Sequence, residues 1–166
     1  MNKLEILTSK ILDREQLRRA CVVWKFKNRK VVFTNGCFDI LHLGHIEYLA
    51  KAAELGDVLV IGMNSDRSIH KIKGESRPIN DEHSRSMVLA SLEFVTVVVL
   101  FDEETPYELI KTIQPDILVK GKDYKVEEIA GHDIVLAKGG KVETIELTPD
   151  YSTTGIEQKI LNLHKE

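Results

Sequence analysis

Two histidines three residues apart sit where an apolar run gives way to a helical pattern, in FTNGCFDILHLGHIEYLAKAAELG over residues 33–56. At that spacing His42 and His45 share one face of a helix. They fall in its first turn, where unpaired backbone N–H groups and the helix dipole attract anions. Gly44 removes a side chain between them and leaves room for a bulky ligand. Asn35-Gly36 lets the preceding strand turn tightly without filling that space. This set suits phosphate binding: imidazole N–H groups donate to phosphate oxygens and to charge that builds on them during transfer. Two plainer explanations compete. His-x-x-His is part of many metal sites, but zinc takes three or four protein ligands, and His70, His83, His132 and His164 form no sequence cluster with the pair. No metal ligand is therefore assigned. The other explanation is a capping or core role, which fits one histidine better than a pair flanked by Asp39, Gly44 and a strand end.

Positioning such a site requires a strand running into a helix, and apolar periodicity supplies several such units. Strands are expected at residues 31–34, 57–63, 95–101, 116–120 and 141–147. Helices are expected at 13–28, with Leu17, Cys21 and Trp24 on one face, and at 42–55, with Ile46, Leu49, Ala50 and Ala53 inward and Gly56 as C-terminal cap. Further helices are expected at 81–93, after a Thr105-Pro106-Tyr107-Glu108 capping box, in part over 129–138, and at 155–163 with Ile156, Ile160 and Leu163 inward. Residues 71–73 read as a polar loop. Strands alternating with helices, and Val/Ile/Leu runs within the strands, indicate an α/β fold. It is a single Rossmann-like doubly wound domain with a central parallel five-stranded sheet and helices on both faces. Ligands in such sheets sit at the carboxyl ends of the strands. Residues 1–166 read as one domain, a helical extension over 1–29 and a core over 30–166. The face of the first helix could pack on that core or pair two copies.

Composition narrows the partners. A net charge of −3 carries no general attraction to nucleic acid or acidic membranes. No apolar run approaches the ~20 residues of a spanning helix, and residues 1–9 are too polar for a signal peptide. Cys21 and Cys37 make no disulfide framework. A cytoplasmic location is expected.

Gly36-Cys37-Phe38-Asp39-Ile40-Leu41-His42-Leu43-Gly44-His45 resembles the G-x-F-D-x-x-H-x-G-H signature of the cytidylyltransferase-like nucleotidyltransferases. Ser152-Thr153-Thr154 resembles their second signature, I-S-S/T-T, although by itself it would read as a helix cap. The Arg or Lys that often follows in the family is replaced by Gly155-Ile156. The resemblance implies that His42, His45 and Lys73 contact the ATP phosphates. It places Thr34, Asn35, Gly36, Cys37, Phe38 and Gly44 along the nucleotide, with Lys120 and Asp123 near its base. Ser152, Thr153 and Thr154 would hold the β and γ phosphates. Asp39 would orient the loop or contact a sugar phosphate, Asn64 and Asp66 would meet sugar hydroxyls, and Lys71, Arg77 and Arg85 are further phosphate candidates. Mg²⁺ would arrive with ATP, held by phosphates and water. Homodimers are common in the family.

Within that family, residues 64–80, 101–110, 115–124 and 127–131 resemble the adenylyltransferase half of the bifunctional heptose kinase/adenylyltransferases. That likeness implies transfer of AMP from ATP to D-glycero-D-manno-heptose 1-phosphate, giving ADP-heptose and pyrophosphate. Glycerol-3-phosphate cytidylyltransferases are the near alternative. Their R-Y-V-D segment reads Glu93-Phe94-Val95-Thr96 here, and their R-T-x-G lead reads Thr148-Pro149-Asp150-Tyr151. A nucleotide-sensing module is the alternative of another class; it would be marked by loss of a signature residue, and none is lost. Base and sugar rest on the resemblance alone.

Overall fold

The apolar runs form strands β2 (Val31–Gly36), β3 (Val58–Asn64), β4 (Val97–Phe101), β5 (Ile117–Gly121) and β6 (Lys141–Ile145) in the computed structural model, which describes residues 2–163. His164 lies outside the described residues. A sixth strand, β1 (Ile11–Leu12), pairs with Val98 and Val99, so the sheet has six strands rather than five. Two residues carry too little apolar pattern to read as a strand; β4 makes them one by pairing. The order is β1-β4-β3-β2-β5-β6, and every pairing is parallel. The chain winds outward from β2 to β4, then returns beside β2 to form β5. The switch point therefore lies between β2 and β5, where open α/β sheets take their ligands.

The two-residue alternation of the strands divides the core. Val31, Phe33, Val60 and Leu118 face the helices α2 (Arg14–Phe26), α6 (Tyr107–Ile113) and α7 (His132–Ala137). Val32, Ile61, Val98 and Val119 face α3 (Leu43–Ala53) and α5 (Glu82–Ser91). The short α1 (Lys3–Thr8) precedes β1. Helix α2 packs on the core: Leu17 is fully buried and Cys21 and Trp24 lie against the same cluster. In α3 the expected Leu49 is buried, but Tyr48 and Ala52 complete the stripe while Ile46, Ala50 and Ala53 are only partly buried. Glu54 caps that helix, not Gly56. A Cβ at Gly56 would stand 2.7 Å from the Lys30 carbonyl oxygen, so its glycine serves a close chain crossing.

Three other expectations change. Residues 66–73 form helix α4 (Asp66–Lys73), capped by the Ser65 hydroxyl accepting from the Ser68 N–H. The Thr105 capping box does not form: Pro106 holds the cap position of α6, with no side-chain cap bond. Its ring fixes φ, at −77° here, and starts the helix at Tyr107. Helix α8 (Thr153–Leu163) begins two residues early, and its expected inward face is not buried: Ile160 and Leu163 are 48% and 74% exposed. Thr96 finds an explanation. Its hydroxyl accepts from the Leu59 N–H at 3.1 Å, an acceptor role that a carboxylate also fills.

Candidate active site

The carboxyl end of β2 builds the histidine loop. Asn35 and Gly36 remain in the strand, in register with Gly62 and Met63, so the expected turn does not occur there. The chain turns at Phe38, which takes a left-handed φ of 48°. His42 occupies the N-cap position of α3, in place of the first helical turn expected, and makes no side-chain cap bond. The rings of His42 and His45 stack with centroids 3.8 Å apart, and Phe38 meets His45 edge-on at 5.4 Å. A Cβ on Gly44 would sit 3.2 Å from His42 Nδ1 and 3.4 Å from Tyr151 Cβ. The missing side chain thus makes room for the His42 ring. Asn35 Oδ1, His42 Nδ1 and His45 Nδ1 are buried without a hydrogen-bond partner. Buried polar atoms are rarely left so.

Burial, then the neighbouring His42, pushes His45 down to about 4, against a weaker pull from the Ile40 carbonyl, and Lys73 adds to the depression. Burial also lowers His42. Both rings are neutral near pH 7, and each neutral ring offers one N–H. The consequence for stability has a definite sign. A chain free to protonate His45 near its ordinary 6.5 binds more protons unfolded than folded between about 4 and 6.5. Stability from this residue is therefore complete above pH 6.5 and is lost as pH falls toward 4. Melting temperatures between pH 7 and 4.5 should fall less steeply in His45→Gln than in the wild type.

Asp39 holds this loop to the segment before α5. Its carboxylate accepts from the N–H groups of Ile79 and Asn80 at 2.9 Å and from Arg77 Nη1 at 3.3 Å. Burial alone would raise its pKa, yet these donors hold it below the usual carboxylate range. With its oxygens so occupied, Asp39 is placed to orient the loop. Arg85 is fully buried, its guanidinium donating to the carbonyls of Asn80, Cys37 and Asn64 and to Asp66 Oδ1 at 2.6–2.9 Å. Four protein acceptors occupy it, so it is not placed to meet a phosphate. Asp66 is taken up by the same pair.

Across the switch point, Lys120 Nζ donates to the Asn35 carbonyl at 3.3 Å and stands 5.3 Å from the Tyr124 ring centre. Burial lowers it to about 8, with Asp123 opposing. Thr34 is buried in a 2.7 Å hydrogen bond with Tyr48 and supports the floor.

These groups enclose a cavity of about 630 Å³, within the range of small-molecule sites. Of the expected residues, it gathers the loop from Asn35 to Asp39 together with His42, Gly44 and His45. It also gathers Asn64, Lys73, Lys120, Asp123, Ser152 and Thr153. Thr34, Asp66, Lys71, Arg77, Arg85 and Thr154 do not line it. Sequence reasoning missed Tyr48, Glu104, Tyr124, Thr148 and Tyr151, which do. Tyr48 was within reach, one helical turn beyond His45. A larger hollow of about 1170 Å³ lies between α2 and α6 at the amino ends of the strands, and it holds none of the unpartnered buried atoms. Among the described residues, no three or more His, Cys, Asp or Glu side chains are grouped to hold a metal ion.

A protein-family model described as cytidylyltransferase-like matches residues 33–159, from the histidine loop into α8. The Bifunctional protein HldE of Syntrophotalea carbinolica is 52% identical over 158 residues, covering 95% of this chain and 32% of that protein. That of Campylobacter jejuni subsp. doylei is 54% identical over 151 residues, covering 91% and 31%. The chain thus spans about a third of the length of these curated relatives. A lipopolysaccharide core biosynthesis protein of Thermoplasma volcanium has a solved structure 33% identical, with a TM-score of 0.59 over 75% of this chain and 99% of that one. A pantoate-beta-alanine ligase from Francisella tularensis, 18% identical with a TM-score of 0.62 over 94% of this chain and 79% of that one, shares the fold.

Proposed function

We propose that this chain, which belongs to the cytidylyltransferase-like family, transfers AMP from ATP to D-glycero-D-manno-heptose 1-phosphate, giving ADP-heptose and pyrophosphate for surface-glycan precursors. The observation that carries the reading is the cavity at the β2–β5 switch point. There the stacked histidines leave buried nitrogens unbonded opposite the hydroxyls at the start of α8. Identity of about half with Bifunctional protein HldE over nearly the whole chain supports the choice of subgroup. The reading takes 30–166 as the catalytic core, acting in the cytoplasm, to which 1–29 add α1, the edge strand β1 and the packed helix α2 in place of a purely helical extension. No described helix is long and apolar enough to cross a membrane.

An oxygen of the acceptor phosphate attacks the α-phosphorus of ATP. A new P–O bond forms there, the bond to the β-phosphate oxygen breaks, and pyrophosphate leaves with its charge. The attacking oxygen is already anionic, so the site needs alignment and charge stabilisation more than a base. His42 and His45 donate to the phosphates as charge shifts toward the leaving group. Lys73, at the end of α4, adds positive charge. Ser152 and Thr153 hold the outer phosphates, and Lys120 ties the nucleotide side of the crevice to β2. Mg²⁺ enters as part of the Mg–ATP substrate, where it neutralises phosphate charge.

Pyrophosphate release by the purified protein, with ATP, CTP or GTP against heptose 1-phosphate or glycerol 3-phosphate, tests this directly. Turnover confined to ATP with heptose 1-phosphate is expected. Turnover with CTP and glycerol 3-phosphate would overturn the substrates and keep the chemistry. Nucleotide binding without turnover would point to a sensing module.

A further inference from the structure

We propose that Glu157 is a positioning residue that couples the two phosphate-facing walls of the site. The inference rests on reading the start of α8 as a phosphate contact. That helix follows Ser152 and begins with Thr153 and Thr154, yet it buries no side chain. Apolar packing is what usually fixes a helix in place, and here Ile160 and Leu161 remain 48% and 62% exposed. Among the described residues, the ion pair that ties α8 to the rest of the chain is Glu157 with Arg77, each side chain 21% exposed.

Arg77 does not stop there. Its other terminal nitrogen lies 3.3 Å from Asp39, whose carboxylate also accepts from Ile79 and Asn80. A carboxylate, a guanidinium and a second carboxylate therefore run from α8 to the histidine loop. Charge-assisted contacts of this kind are directional and among the stronger polar ones. They hold the hydroxyls of α8 at a fixed place relative to His42 and His45 before nucleotide arrives. Preorganisation of that sort lowers the ordering cost that binding otherwise meets. Arg77, expected from the sequence to touch phosphate, is occupied on both sides and acts through Asp39 and Glu157.

The test is direct ATP binding by Glu157→Gln and Glu157→Asp, alongside steady-state pyrophosphate release. Glu157→Gln should weaken ATP affinity and raise its KM by about tenfold, the order of one charge-assisted contact, with kcat changed far less. Glu157→Asp should restore most of the affinity. Amide exchange over residues 152–157 should quicken in unliganded Glu157→Gln and return to the wild-type rate with ATP bound, which a general loss of stability would not produce. Unchanged ATP affinity would overturn the proposal. Tighter ATP binding would overturn it too, showing that Glu157 restrains Arg77 from the phosphates. Wild-type protein that binds ATP but does not turn over leaves the affinity comparison intact and defeats only the proposed reaction. Wild-type protein that binds no nucleotide defeats both.

Discussion

Alanine in place of His45 should lower kcat for pyrophosphate release by about 10²–10³-fold, the cost of removing one donor aimed at developing charge, and should change the KM for ATP much less. The asymmetry follows from where the ring sits. His45 is the deeper of the stacked pair, its pKa pressed down to about 4 by burial and by His42. A neutral donor in a partly desolvated site gains most as charge moves onto the leaving oxygens. Its interaction is then stronger in the transition state than in the bound substrate, which is what lowers kcat when it is lost. Alanine also removes the ring that stacks on His42 at 3.8 Å and the edge contact of Phe38 at 5.4 Å, so part of the loss comes through His42. His45→Asn separates the two contributions. It keeps an N–H donor without the ring, and partial recovery over alanine assigns the larger share to donation. Steady-state rates with ATP and heptose 1-phosphate, with ATP affinity measured separately, decide it. A kcat within a few-fold of wild type in His45→Ala would remove the histidines from the chemistry.

The histidine loop was legible because its parts are neighbours in the chain. The strand, the acidic residue, the two imidazoles and the glycine fall within residues 31–45, and the step from the cap position of α3 into its first turn brings His42 and His45 together. The central strands were legible for a similar reason, since burial on both faces writes itself as apolar runs. What was not legible depends on partners far along the chain. Strand β1 exists because Val98 and Val99 accept it. Thr148 bonds Glu47 across a separation of 101 residues, fixing the approach to Ser152 in a way no local pattern shows. With their segment read as a loop, Lys71 and Lys73 are both phosphate candidates, Lys73 the stronger. On α4 they are two positions apart and cannot share a face, and Lys73 alone reaches the cavity. The apolar spacing of Ile156, Ile160 and Leu163 was real, but among the described residues only Ile156 is partly covered, and Ile160 and Leu163 stay exposed. Arginines were the least legible, because a guanidinium suits phosphate and backbone carbonyls alike.

Arg85 makes that ambiguity testable, with a large effect. Arg85→Ala should cost about 3–5 kcal/mol of stability, since each buried acceptor left unsatisfied costs about 1–3 kcal/mol. At about 2–4 °C per kcal/mol for a chain of this size, the melting temperature drops by roughly 6–20 °C. The side chain has no solvent exposure, and its loss strands three carbonyls, those of Cys37, Asn64 and Asn80. It also strands one oxygen of Asp66, whose other oxygen still accepts from the Glu82 N–H. Those carbonyls come from the histidine loop, the end of β3 and the lead into α5, so the guanidinium joins three elements at the mouth of the sheet. Arg85→Lys should recover only part of the loss, because one ammonium cannot span acceptors set out for a planar fork. Activity measured well below the new melting temperature should also fall, since Cys37 carries the backbone on which the histidines depend. A phosphate-binding arginine behaves differently: its removal leaves the melting temperature of the unliganded protein unchanged and abolishes the rise that ATP produces. Thermal melts of the wild type, Arg85→Ala and Arg85→Lys, each with and without Mg–ATP, separate the two roles. A large drop without ligand assigns Arg85 to the scaffold, and an unchanged melt that no longer responds to ATP returns it to the phosphates.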